Sequence, residues 1–345
     1  MDRLSFPSDA VLAAIGFAGS IAVALSLQSH RKRTKFVRVS KLYVYPIKSC
    51  RGVEVQSAEV TPRGFHLDRI FMVCDENGKF VSQRTHPAMA LVDVQISEDA
   101  GSLIVTAPGM AQLVVPTLFP TTVEGMQTVK CTVWGDACEG IEILGAQGSC
   151  WFSTYLKTPH LKFVRMTDSV RPTDPEYAPK GQTSFSDGFP FLLASKSSLS
   201  STNKKLKLSS TSVKFDPLTM ARFRPNIVVS GSKAFAEDTW DLLRVAVKTH
   251  TGAASSLDMS VVKPCARCTI PNINPATAQV SEDREPSRSM LKFRSGEAAG
   301  FSKESWKKQL FFGQNLDHGG RSGVTVSTGA LIEIVSADRR FRVTK

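Results

Sequence analysis

Cys265-Ala266-Arg267-Cys268 brings two thiols and a guanidinium together, inside the run Lys263-Pro264-Cys265-Ala266-Arg267-Cys268-Thr269-Ile270-Pro271. Three chemistries use such a group. A structural zinc site takes four ligands, of which Cys-x-x-Cys supplies two. The other cysteines lie far upstream at unmatched spacings, and His250 is a lone histidine in a strand-like run. A thioredoxin-like redox pair opens a helix after a strand, and Thr269, Ile270 and Pro271 make a poor helix start. The third chemistry is a single thiolate serving as a soft ligand to a metal whose remaining ligands come from a bound cofactor. Arg267 would favour that thiolate and could hold an anionic group. Two buried structural cysteines are the plain alternative to all three.

Cations recur where strands begin or end. Tyr45-Pro46-Ile47-Lys48-Ser49-Cys50-Arg51-Gly52 sets Lys48 and the Ser49 hydroxyl at a strand end before a tight turn. Gly64-Phe65-His66-Leu67-Asp68-Arg69 sets Arg69 just ahead of a strand. Phe223-Arg224-Pro225-Asn226-Ile227-Val228-Val229 sets Arg224 at the entry of a buried strand, with the Asn226 amide two residues on. Each alone is more often a surface salt-bridge residue than a ligand. As a set they suit a phosphate and a polar ring system.

The elements that must position these groups are mostly strands. Val37, Val39, Leu42 and Val44 alternate close to period two, and Val53, Val55, Ala58 and Val60 continue the pattern after Gly52. Ile70–Cys74 and Lys79–Ser82 flank Glu76-Asn77-Gly78, a hairpin with an Asn-Gly turn. Leu91–Ile96, Leu103–Thr106, Gln112–Val115 and Thr128–Val133 follow, so the stretch to about residue 135 reads as all-β, a barrel or strongly twisted sheet. Ala146–Leu156 reads as a short helix, with Trp151, Phe152, Tyr155 and Leu156 on one side. Arg171–Gly188, rich in Pro, Asp, Gly and Ser, reads as a linker or mobile loop, and the serine-rich Ser195–Ser212 as a surface helix and loop. Strands resume at Asn226–Ser230, Leu243–His250, Cys268–Ile270, Gln309–Phe312, Val324–Val326 and Leu331–Ser336, with a helix at Pro286–Arg294.

Composition excludes several classes. The chain has 345 residues, 42% hydrophobic and 21% charged, with 23 Gly and 18 Pro, which is a globular profile and not a fibrous or disordered one. Its length suits about two domains plus an appendage. Of the net charge of +12, residues 1–41 carry +5, so the body is only mildly basic and does not call for a nucleic-acid partner. Seven scattered cysteines are no disulfide scaffold and point to a reducing compartment. Ala10–Leu27 is free of charge and, as a helix, would span about 27 Å. The basic cluster His30-Arg31-Lys32-Arg33-Thr34-Lys35 follows the apolar run, whereas a signal peptide carries its charge before it. The expectation is a retained signal-anchor that leaves the C-terminal body in the cytosol. A cleaved peptide ending near Ala22-Val23-Ala24 is the alternative.

Tyr-Pro-Ile-Lys-Ser-Cys-x-Gly, the Asp68-Arg69 element, Phe-Arg-Pro-Asn-Ile-Val-Val-Ser-Gly, Ala236-Glu237-Asp238-x-Trp240, Cys-x-Arg-Cys and Phe312-Gly313-Gln314-Asn315 occur in one order. This set resembles the MOSC family with an N-terminal β-barrel, over roughly Val37 to Ser336. The resemblance implies a mainly β chain with some α (α+β). Residues 1–35 are then the signal-anchor, 36–165 an N-terminal MOSC-type β-barrel domain, and 166–345 a β-barrel-like MOSC domain binding molybdenum cofactor. It implies that Cys265 is the protein ligand to molybdenum, held otherwise by the dithiolene of a molybdopterin. Lys48, Ser49, Arg69, Arg224, Asn226 and Arg267 would hold the pterin and its phosphate, with Cys268 structural. Ser186-Asp187 aligns with a family Ser-Asp segment near the metal, though Gly188 and Phe189 depart from the Thr-Ser expected next; Asp187 is the candidate proton donor.

The anchor together with this body resembles the family's amidoxime-reducing branch. That implies reduction of N-hydroxylated substrates such as amidoximes, N-hydroxylated bases and nitrite, with cytochrome b5 and NADH-cytochrome b5 reductase as electron source, at the mitochondrial outer membrane. The sequence shows no Gly-x-Gly-x-x-Gly fingerprint and no haem motif, which fits external electron donors. Two rival expectations stand beside this: a non-catalytic molybdenum-cofactor carrier or sulfurase-like module, and a basic zinc protein touching nucleic acid.

Overall fold

The computed structural model describes residues 36–118, 126–209, 216–337 and 341. The apolar run and basic cluster expected to anchor the chain lie outside the described residues. Among the described residues no helix is long and apolar enough to cross a membrane.

The expectation of a mainly β chain holds, with about a fifth of the described residues helical and a closed seven-strand barrel at their centre. The barrel runs Ala254–Ala266, Phe311–Asp317, Phe191–Ser195, Ile227–Ser230, Phe36–Val44, Leu331–Ser336 and Leu242–Thr249, and closes because Leu242–Thr249 also pairs with Ala254–Ala266. Closure leaves no free edge on these strands. The barrel thus takes its fifth strand from the start of the described chain and the other six from its second half. Alternation along Phe36–Val44 marks it as a strand, but only the folded topology assigns its partners, Ile227–Ser230 and Leu331–Ser336. Val324–Ser327, Ser57–Thr61 and Gly64–Phe65 extend the sheet beyond the barrel.

The other early strands form two smaller sheets. One joins Phe71–Cys74, Lys162–Met166, Asp136–Glu142 and Thr128–Val133; the other joins Asp93–Ile96, Ser102–Thr106 and Leu113–Pro116. Phe71, Phe152 and Phe163 are fully buried in the main core, and the helix Ala146–Leu156, which forms where its apolar face is read, sets Phe152 4.9 Å from Phe163. Phe191–Ser195 and Ile227–Ser230 are parallel, and a parallel pair needs a crossover. The helix Lys196–Ser209 lies in that connection, which explains why a serine- and lysine-rich segment is helical at all.

Several elements depart from the sequence reading. Cys268–Ile270 is not a strand; the chain turns there into the short 3-10 helix Ile270–Asn272. Arg171–Gly188 is not a linker. Arg171–Pro172 pairs with Gln182–Thr183, and the fully buried Arg171 side chain donates to the carbonyls of Ser184, Ser186 and Asp187 and to Asp136. One buried guanidinium with five donors organises a segment whose composition reads as loop. The strands Asp136–Glu142, Lys162–Met166, Phe191–Ser195 and Ala254–Ala266 are not foreseen, the last because its serines and Pro264 mask it.

The Glu237-Asp238 pair marks a buried polar cluster. Asp238 accepts from Arg294 at 2.8 and 3.2 Å and from Gln314 Nε2 at 2.8 Å. Glu237 accepts a hydrogen bond from Ser198 Oγ, and its other oxygen has no partner among the described residues. Burial first, and then the neighbouring Asp238 charge, push the Glu237 carboxyl up to about 7 from an ordinary 4.5. The folded chain therefore keeps this proton while the unfolded chain ionises. Stability should fall by on the order of 1 kcal/mol per pH unit between those two values and level off above the higher one. Thermal midpoints across that window should show the decline in the native chain and little of it in Glu237→Gln. A Glu237→Gln profile as steep as the native one would place the decline elsewhere.

A candidate active-site cavity

The long strand Ala254–Ala266 carries Cys265 to its place. Its pairing with Phe311–Asp317 slips between Val261 and Lys263 and again between Pro264 and Ala266, so Pro264 sits where a proline is tolerated and Cys265 has no direct partner across the ladder. A bulge of this kind re-aims a side chain, and Cys265 lines a cavity of about 1000 Å³.

All eight residues singled out in the sequence line this cavity: Lys48, Ser49, Arg69, Asp187, Arg224, Asn226, Cys265 and Arg267. Six basic residues line it against three acidic ones, so it favours an anion. Arg267 Nη1 donates to Cys265 Sγ at 2.9 Å, and Nη2 donates to the Phe223 carbonyl at 2.9 Å. Burial pushes the Cys265 thiol up, and Arg267 offsets part of that by stabilising the thiolate. Cys268 lines the cavity too and forms no disulfide.

Tyr45 organises the arginines. Its buried ring has Arg69 at 4.3 Å and Arg224 at 4.4 Å from its centroid, and its hydroxyl donates to the Pro225 carbonyl at 3.1 Å. A Cβ at position 52 would come within 2.4 Å of that ring, which is why the motif beginning at Tyr45 ends in Gly52. Arg69 donates to Asp68, to Asn226 Oδ1 at 2.9 Å and to the Arg224 carbonyl at 3.1 Å. Arg224 Nη1 donates to the Cys50 carbonyl at 2.6 Å. Ser49, Arg69 and Arg224 all have left-handed backbone, with φ of 68°, 52° and 55°. Strain of about 1–3 kcal/mol at each such residue persists only where the surroundings impose it, and it clusters at functional sites.

Lys48 is almost wholly buried, and its Nζ donates to Asp187 Oδ1 at 2.6 Å and to the Phe185 carbonyl at 2.7 Å. Burial lowers the Lys48 pKa, and Asp187 offsets part of the effect. Partial desolvation at the cavity wall pushes Asp187 up, though its side chain stays 68% exposed, but Lys48's charge and hydrogen bond, with the Trp134 indole N–H at 3.0 Å, outweigh it and hold the carboxyl well below the usual range. A carboxyl so held is ionised at neutral pH and accepts hydrogen bonds; its surroundings do not prepare it as a proton donor.

Trp134, Arg84 and Phe80 also line the cavity and escaped the sequence reading. Arg84 stacks 4.2 Å over the Trp134 ring, and Phe80 lies 5.6 Å from it. The available signal was Trp134-Gly135-Asp136 directly after an apolar strand, a turn carrying a large aromatic where small polar residues are usual.

Among the described residues no group of three or more His, Cys, Asp or Glu could hold a metal ion. The site thus sets the Cys265 sulfur, with Cys268 also on the wall, in a cationic cavity. The chain matches the MOSC N-terminal beta barrel domain over residues 36–159 and the MOSC domain over residues 180–333. It is 32% identical over 265 residues to mitochondrial amidoxime reducing component 2 of Bos taurus, covering 74% of this chain and 72% of that protein. It is 29% identical over 307 residues to mitochondrial amidoxime-reducing component 1 of Homo sapiens, covering 86% and 83%. The chain belongs to this amidoxime-reducing-component family of MOSC-domain proteins.

Proposed function

We propose that the chain is a molybdenum-cofactor-dependent reductase of N-hydroxylated compounds, drawing electrons from cytochrome b5 and its NADH-dependent reductase. The observation that carries this reading is the Cys265 sulfur, paired with Arg267, on the wall of a cavity lined by six cations. A metal at Cys265 would have to bring most of its ligands with it, since no protein cluster among the described residues supplies them. A molybdenum held by a pterin dithiolene meets that condition, and its phosphate meets the charge. The buried Arg267 Nε and Ser186 Oγ have no hydrogen-bond partner among the described residues, so the cavity wall keeps polar capacity for an incoming group.

When bound, the cofactor supplies the net conversion of N–OH, two electrons and two protons to N–H and water. The chain's own residues do the rest. Cys265 offers a soft donor, and Arg267 stabilises its thiolate form. Arg69, Arg224 and Lys48 neutralise the anion, while Ser49 and Asn226 supply uncharged polar groups. Asp187 is an acceptor that orients Lys48 and Trp134. Anchoring by residues 1–35, with the body in the cytosol at the mitochondrial outer membrane, belongs to the same proposal; the charge pattern of that segment and the relatives' names support it.

The test is metal analysis of the full chain made in a host that assembles the pterin, followed by NADH oxidation with a model amidoxime in the reconstituted electron chain. About one molybdenum per chain with amidoxime-dependent turnover is expected. Absence of molybdenum from cofactor-replete protein would overturn the reading, and molybdenum without turnover would leave the carrier alternative.

A further inference from the structure

Trp134 occupies a position that hairpin geometry disfavours. Val133 pairs with Asp136, so Trp134 and Gly135 are the two central residues of a hairpin turn, with φ of 58° and 96°. Positive φ at both places is what a type I′ turn requires, and Asn, Asp and Gly are the residues that meet it cheaply. A bulky side chain there is an outlier in the left-handed region. Burial offers no compensation, for Trp134 is 51% exposed. Its indole is nevertheless fixed at three points: the N–H on Asp187 Oδ1 at 3.0 Å, Arg84 at 4.2 Å over the ring, and Phe80 at 5.6 Å. A large ring, held in a disfavoured backbone conformation with its surface half open on a cavity wall, is placed for contact with something that enters the cavity.

We infer that Trp134 is a specificity-determining residue, whose open indole surface stacks on the flat conjugated substituent of an N-hydroxylated substrate. The inference rests on the proposed reaction for the identity of that substrate. Two features of the wall support it. The π-face accepts a planar group at an offset, a contact an aliphatic chain does not reproduce. The partly open Asp187 carboxylate, bonded to the same indole, can accept the N–H groups of an amidine, the product of amidoxime reduction. Arg84 and Phe80 hold the ring in one orientation, so stacking costs little further ordering.

The test compares an aromatic with an aliphatic pair on the full, cofactor-loaded chain. Benzamidine binding should quench tryptophan fluorescence in the native chain, acetamidine should not, and Trp134→Phe should lose the quench. Trp134→Gly removes the ring while suiting the positive φ, so it should fold. It should weaken benzamidine binding about tenfold by calorimetry and lower the kcat/KM ratio of benzamidoxime to acetamidoxime by a similar factor, with Trp134→Phe between. An unchanged ratio in folded Trp134→Gly, or equal weakening of benzamidine and acetamidine, would overturn the inference. The amidine titrations need no turnover. Native chain that binds benzamidine through Trp134 but reduces no amidoxime would sink the reaction while upholding Trp134 as a binding wall.

Discussion

Cys265→Ser should cut amidoxime reduction at least a thousandfold, about 4 kcal/mol of transition-state stabilisation, with the fold retained. Serine fills nearly the same volume, and its oxygen can still accept from Arg267, whose Nη1 now reaches Sγ at 2.9 Å. What changes is softness: a hydroxyl does not replace a thiolate as a ligand to a soft-ligand metal centre. The residue sits in a slipped stretch of ladder, so backbone pairing around it does not depend on the side chain. Molybdenum content should fall together with turnover, while the thermal midpoint and far-ultraviolet circular dichroism stay near native. Native turnover in Cys265→Ser would end the assignment of this sulfur as ligand. A collapsed midpoint would mean that Cys265 holds the fold.

Arg69→Ala should bring the largest loss of stability, about 3–5 kcal/mol, because it strands a buried carboxylate. The Asp68 side chain is 1% exposed, with one oxygen on the Tyr45 N–H at 2.9 Å and the other on Arg69. Removing the guanidinium also deprives Asn226 and the Arg224 carbonyl of donors and takes one cation from the Tyr45 ring. In a chain of this size the unfolding midpoint should drop by roughly 10 °C. Arg69→Lys should recover only part of it. One ammonium can pair with Asp68 but cannot fork to Asn226 and the Arg224 carbonyl as well. A midpoint for Arg69→Ala within about 2 °C of native would show that Asp68 does not depend on Arg69 for a partner.

Much of this architecture was legible in the chain. The helix Ala146–Leu156 forms over the residues its apolar face marks. The Asn77-Gly78 turn closes as read, with the Asp75 N–H on the Lys79 carbonyl and Gly78 at φ 77°. At that glycine a Cβ would lie 1.9 Å from the Lys130 carbonyl oxygen. Local signals suffice in such places because the forces are local: periodicity, turn stereochemistry and chain sterics. Strand partners are another matter. Alternation reveals a buried face but not what covers it, so the sharing of one barrel by Phe36–Val44 and the strands from Phe191 onward could not be read. The strand Ala254–Ala266 was hidden because Pro264 argues against a strand, and only the slipped pairing on Phe311–Asp317 accommodates it.

For the site, side-chain chemistry and long-range contact divide the credit. The sequence alone marked groups whose chemistry suits an anion and a soft metal: Lys48, Ser49, Arg69, Arg224 and Asn226 around strand ends, and Cys265 and Arg267 in the Cys-x-Arg-Cys run. Only tertiary structure decided that all of them face one cavity, that Tyr45 separates two arginines and that Arg171 orders the segment bearing Asp187. It also decided the state of Asp187. A carboxyl's proton affinity depends on what stands within a few ångströms, and Lys48, 139 positions away in the chain, stands 2.6 Å from it. Trp134 shows the same division, since its cost was written in the turn sequence while its use lay in the cavity that distant segments build around it.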